Sequence, residues 1–151
     1  MITVGLQSYE VTMADKFDKI KRSDIMAKVK GENTTPEIVI RKLLFSMGYR
    51  YRLYRKDLPG KPDIVLPKYR YAIFVHGCFW HGCPSCKHAQ IRPVNNAEYW
   101  NRKLDRNIER DKKNKKELVK LGWKVFVIWE CETKKLKIDA LIKKIRRTIK
   151  K

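Results

Sequence analysis

Three of the chain's four cysteines, Cys78, Cys83 and Cys86, fall in one short segment, HGCFWHGCPSC (76–86), and the fourth, Cys131, follows a distant apolar run. Such a set, with its Cys-x2-Cys pair, suits tetrahedral Zn2+, and His81 or His88 can take the place of one cysteine. Zinc held this way is structural, because four protein ligands leave no open position. A fold that binds it must bring the end of the run 123–130 against the loop 76–94. Residues 1–12 contain no Lys or Arg and no long apolar stretch, so they do not read as a signal peptide, and no apolar run approaches a membrane span. The expected setting is soluble and intracellular, where clustered cysteines favour metal over disulfides.

The remaining pattern predicts the elements that would carry this loop. Thr35-Pro36-Glu37 opens a helix with a capping hydroxyl, a proline in the first turn and an acid beside it. Ile38, Ile40, Leu43, Leu44 and Met47 give that helix an apolar face, and Gly48 ends it. YRYRLY (49–54) alternates like a strand, and DLPGKP (57–62) is a turn. DIVL (63–66) and RYAIFV (70–75) are strands joined by a turn at 67–69. Asn95 or Asn96 caps a long polar helix to about Leu121, and Gly122 stops it. WKVFVIWE (123–130) is a buried strand; Ile138, Leu141, Ile142, Ile145 and Ile149 mark a final amphipathic helix. Residues 13–34, with few apolar anchors, read as an arm. The order α-β-β-β-α-β-α predicts an α/β fold, a mixed central sheet flanked by helices.

Charge supplies the first functional clue. Lys and Arg total 36 against 16 acids, a net charge of +20. A field of that sign and size on one domain suits a polyanion such as nucleic acid. Asp63 opens a short strand, where its carboxylate is placed to hold Mg2+, a hard ion that prefers oxygen. Antiparallel pairing through 67–69 would bring it near residues 74–76, so an Asp, a strand-end carbonyl and His76 converge on one point suited to phosphoryl chemistry. Glu37, in a first turn, reads on its own as complementing the helix dipole. Phe79 and Trp80 sit in an aperiodic loop with a candidate ligand or a polar residue beside each. An apolar wedge held on a basic surface can enter a base step. Trp100 either joins that wedge or packs in the core; Trp123 and Trp129 read as core.

PGKPDIVLPKYRYAIFVHGCFWHGCPSC (59–86), NAEYWNRKLDRNIERDKKNKKELVKLGW (96–123) and VFVIWEC (125–131), in that order, resemble the very-short-patch-repair (Vsr) DNA mismatch endonucleases. The likeness spans roughly 13–150; residues 1–12 lie outside it, as a disordered extension or a mis-assigned start, with 13–151 a single domain. The resemblance implies a restriction-endonuclease-like core with a zinc-stabilised loop. It implies a Mg-dependent enzyme that nicks one strand beside a T:G mismatch left by deamination of 5-methylcytosine. By the same resemblance Asp63 and the backbone carbonyl of Val75 hold Mg2+. His76 and His81 serve water activation and phosphate contacts, with His81 the better general base, and Glu37 supports the site. Cys78, Cys83, Cys86 and Cys131 form an all-cysteine zinc set, with Cys83 where some members carry histidine. Phe79, Trp80 and Trp100 intercalate. Val75 stands where a threonine is found in the best-known member, a change that a backbone contact survives. The implied setting is a monomer in a prokaryotic cytoplasm, on the nucleoid, with duplex DNA and other mismatch-repair proteins as partners and no membrane. Two other readings fit the residues: a restriction-type or mobile-element endonuclease of the same fold, and a non-catalytic zinc-stabilised DNA-binding module.

Overall fold

The computed structural model describes residues 19–29 and 31–150. The expected extension, 1–12, lies outside them. Helix α1 (Lys19–Ala27) precedes α2 (Thr35–Ser46); strands β1 (Arg52–Leu53), β2 (Ile64–Leu66) and β3 (Tyr71–His76) follow. Two single-turn helices, α3 (Cys78–His81) and α4 (Lys87–Gln90), lead into the long α5 (Ala97–Lys120), strand β4 (Lys124–Trp129) and α6 (Ile138–Thr148). The four strands form one mixed sheet in the order β1-β2-β3-β4. β1 with β2 and β2 with β3 are antiparallel, whereas β3 and β4 are parallel from Tyr71↔Lys124 to His76↔Trp129. A parallel pair needs a long crossover, and here the crossover carries α3, α4 and α5.

Side chains alternate across the strands, and the two faces bury different partners. Ile64, Leu66, Ile73, Phe126 and Ile128 pack with Ile40 and Leu44 of α2 and with Leu141 and Ile145 of α6. Val65 and Ala72, on the other face, pack with Leu118 of α5 and with Leu58. The layers are therefore α2 and α6, then sheet, then α5. No helix among the described residues is long and apolar enough to cross a membrane.

Local chemistry corrects several expected boundaries. The expected arm contains α1, whose described side chains are mostly exposed. The cap of α2 is Thr34, one residue before the expected Thr35: its Oγ accepts the Glu37 N–H at 3.4 Å. The expected strand 49–54 shrinks to Arg52–Leu53 because both ends leave the sheet. Tyr49 turns into the core, its hydroxyl donating to the Ile149 carbonyl at 2.7 Å, and Tyr54 adopts φ 47°. Asn96 is the residue before α5, but in the left-handed region (φ 55°) and without a side-chain cap; asparagine tolerates that conformation better than most. Trp123 lies just before β4 rather than in it, half-buried against Val65 and Leu118's cluster.

Candidate active site

β2 and β3 fix the centre of the site. Their register sets Ile64 opposite Ile73, so Asp63 sits across from the end of β3. The Val75 N–H donates to Asp63 Oδ2 at 2.8 Å. The expected convergence of Asp63, Val75 and His76 is present, and all three line one cleft of about 820 Å3. Burial is the main force that pushes the Asp63 carboxyl up to about 6, against the pull of the Val75 amide; the charge of Glu37 raises it further. The Asp63 and Glu37 carboxylates repel each other, the Arg41 guanidinium on Glu37 offsets part of that repulsion, and their oxygens are hard donors. That environment fits a divalent cation such as Mg2+.

Glu37 does more than face a helix dipole. It is 3% exposed, and both its oxygens are occupied. Thr34 Oγ donates to Oε1 at 2.9 Å; the Tyr54 hydroxyl, the Arg41 guanidinium and the Asn33 N–H donate to Oε2 at 2.5, 2.9 and 3.1 Å. The positive φ of Tyr54, which ended β1, aims its ring into this network.

His76 ends β3 on the face that looks toward α5. His81, the last residue of α3, stacks on it with ring centroids 4.0 Å apart and 11° between planes. Burial first, and the neighbouring His81 second, hold the His76 imidazolium down to about 4, so His76 is neutral at pH 7. His81 Nδ1 lies 2.5 Å from Asp111 Oδ2. An ionised carboxylate only accepts hydrogen bonds, so Nδ1 carries the proton and Nε2 is left as a base. Sequence reasoning missed Asp111. It lies in the run ERDKKN on the exposed-looking helix α5, where one acid among lysines reads as a solvated charge.

The same helix organises the aromatic loop. Asn107, one turn before Asp111, donates to the Trp80 carbonyl at 3.2 Å. Phe79 and Trp80 pack edge-to-face at 5.2 Å, and Trp100 lies 6.1 Å from Phe79 and 5.9 Å from Trp80. Tyr99 adds a fourth ring, 5.5 Å from Trp100. Lys103 Nζ stands 5.4 Å from the rings of Trp80 and Trp100. All three expected wedge residues are thus together, half-buried, and Trp80 and Lys103 line the cleft that holds Asp63.

Behind the loop lie the cysteines, all free thiols. Cys78, Cys83 and Cys131 are buried, with their sulfurs within 4.8 Å of one another. The Cys83 and Cys131 sulfurs are 3.9 Å apart, close to the edge of about 3.8 Å that zinc–sulfur bonds of about 2.3 Å give a tetrahedron. Burial pushes the Cys78 and Cys131 thiols up, so thiolates here call for a cation. Cys86 packs against this cluster but does not share its 4.8 Å grouping. The side chain of His88 lies outside the described residues.

The family profile of the DNA mismatch endonuclease Vsr matches residues 14–88. The type II nicking enzyme V.NmeAIP of Neisseria meningitidis serogroup A is 44% identical over 142 residues, which cover 91% of this chain and 100% of that protein. V.XorIIP, a type II nicking enzyme of Xanthomonas oryzae pv. oryzae, is 47% identical over 120 residues, covering 80% and 87%. The DNA mismatch endonuclease Vsr of Escherichia coli is 37% identical over 140 residues, covering 91% and 88%. Similarity at this level along nearly the whole chain, with a carboxylate, a His–Asp pair and one tryptophan of an aromatic cluster lining one cleft, leads to one conclusion: the chain belongs to the Vsr DNA mismatch endonuclease family.

Proposed function

We propose that this chain, as one restriction-endonuclease-like domain over 13–151, nicks one strand of duplex DNA beside a T:G mismatch by Mg-dependent phosphodiester hydrolysis. The observation that carries the reading is the shared cleft: Trp80, packed against Trp100 of the aromatic cluster, lines the same cleft as Asp63 and the His81–Asp111 pair. A basic surface brings the duplex in. Phe79, Trp80 and Trp100 wedge between base pairs. A mismatched step costs less to unstack than a matched one, so the wedge itself contributes selectivity.

Asp63 and the Val75 carbonyl would hold Mg2+. Bound there, it would polarise the scissile phosphate and stabilise charge on the leaving oxygen. His81 Nε2 takes a proton from the attacking water as the new phosphorus–oxygen bond forms and the bond to the sugar oxygen breaks. Asp111 holds the His81 tautomer and offsets the imidazolium that results. Neutral His76 stacks on His81 and offers a hydrogen bond to a phosphate oxygen rather than a charge. Glu37, with both oxygens engaged, keeps the cleft anionic beside Asp63 and acts through the field instead of as a ligand. Zn2+ on Cys78, Cys83 and Cys131, with Cys86, which packs against them, as fourth ligand, would pin the segment that carries the wedge.

The test is a strand-resolved nicking assay on T:A and T:G duplexes, with Mg2+ or EDTA, for wild type and Asp63→Ala. The expected result is Mg-dependent nicking of the T strand of T:G only, lost in the variant while mismatch binding persists. Equal cutting of both duplexes would replace mismatch repair with a restriction-type role. Tight binding without cutting would point to a DNA-binding module.

A further inference from the structure

The histidine pair and its aspartate form a donor set of another kind. His76 at the end of β3, His81 at the end of α3 and Asp111 in the middle of α5 each bring one ligating atom within 4.8 Å of the others. The end of β3 and the turn that follows it meet the distant helix α5 here, and helical hydrogen bonds and the sheet hold each of them. His81 and Asp111 are 23% and 22% exposed and face the cleft, so a dissolved ion can reach them. Two imidazoles with one carboxylate suit borderline divalent metals, whose affinities rise toward nickel and copper. They suit Mg2+ poorly, because that ion prefers oxygen donors in near-ideal octahedral geometry. Three protein ligands also leave positions open toward the cleft.

The protein therefore has three donor sets close together and graded in softness: oxygens at Asp63 and Val75, nitrogens and oxygen here, and thiols at Cys78, Cys83 and Cys131. We propose that His76, His81 and Asp111 form a further metal site that takes a borderline divalent cation of the nickel–zinc class, and that its occupancy blocks nicking. Coordination through His81 Nδ1, the atom beside Asp111, leaves the neutral ring's one proton on Nε2, so that nitrogen loses the lone pair it needs to accept a proton. The block rests on the function proposed above for His81; the binding does not.

The probe is Ni2+, titrated calorimetrically into the zinc-loaded full chain without DNA or Mg2+. About one saturable equivalent is expected, and Asp111→Asn and His76→Ala should each weaken it at least about tenfold. Lys112→Ala, beside Asp111 on α5, should leave it unchanged. No saturable binding, or equal binding in both site variants, overturns the site. Asp111→Asn is nearly isosteric, so it decides the matter if His76→Ala fails to fold. Co2+ supplies a second readout: weak ligand-field bands without thiolate charge transfer support the site, and thiolate charge transfer alone overturns it by placing the ion among the cysteines. Ni2+ at the saturating concentration should suppress Mg-supported nicking of T:G at least about tenfold. Filled sites with full nicking overturn the block. A wild type that never nicks overturns the proposed function, and the calorimetry still decides the metal site.

Discussion

Asp63 is a carboxylate that the fold keeps partly from its charged state. Its ordinary value lies near 3.8, and burial with Glu37 nearby takes it to about 6 in the folded chain. The folded state thus binds the proton more tightly than the unfolded state. Stability from this group is fully present below the ordinary value and falls as pH rises through the folded one. Without Mg2+, Asp63→Asn should therefore raise the thermal midpoint at pH 8 and change little at pH 4, as measured by calorimetry at both. Equal midpoints at pH 8 would mean that the carboxylate is already compensated. The placement of Asp63 was legible, because the short turn after its strand sets the antiparallel register that brings it to residues 74–76; Pro-Asp alone is a weak signal. From the residues alone Glu37 read only as an acid at a helix start, and it was the resemblance that gave it a supporting role in the site. The four groups that saturate it come from residues 33, 34, 41 and 54, and only the fold joins Tyr54 to them. Asp111 was hidden altogether, since its partner His81 belongs to a different element.

Helix α5 and the loop before β2 show how elements set those residues. Trp100, Asn107, Asp111 and Asn114 recur at helical spacing on α5, so the helix spans the cleft from wedge to base pair. At its far end it meets the loop that carries Asp63. Gly60 has φ 73°, and a Cβ there would stand 2.7 Å from Asn114 Nδ2 and 2.9 Å from Asn114 Cβ. The last of these is anchored to the helix and cannot swing away. Gly60→Ala should cost roughly 1–2 kcal/mol for the left-handed backbone alone, and it should push the Asp63 loop from α5. Urea unfolding should show the loss, and nicking should fall in kcat more than in KM. Gly31→Ala, where a Cβ meets nothing within 4 Å, should stay within about 0.5 kcal/mol. If the two variants behave alike, α5 does not set the loop. α2, α6, β2, β3 and β4 were legible because their apolar periods are strong, and α5 because of its polar length and the glycine after it; α1 read as an arm and the single-turn α3 and α4 as loop, since none of the three has a long apolar face. The length of β1 was not, because Tyr49 and Tyr54 leave the sheet for partners far along the chain.

At the scale of the whole molecule, charge and shape divide the work of recognition. The net charge of +20 acts on any duplex, and Lys61, Lys103 and Arg110 carry it into the cleft. In the proposed function the aromatic wedge acts only where a base step opens. These two contributions answer differently to salt. Each phosphate neutralised contributes about −0.9 to the slope of log affinity against log salt, so contact with about five phosphates gives a slope near −4.5. Stacking releases no counterions. Anisotropy titrations between about 50 and about 200 mM salt should show affinities for T:A and T:G duplexes falling in parallel at that steepness, with their ratio nearly constant. Trp80→Ala should leave the slope and collapse the ratio. Lys103→Gln should make the slope shallower by about 0.9 if Lys103 contacts a phosphate; an unchanged slope would mean that its charge serves the rings of Trp80 and Trp100 instead. A ratio that shrinks with salt as fast as the affinities would show that mismatch selectivity is itself electrostatic, and the separation between a general basic field and a local apolar wedge would be lost.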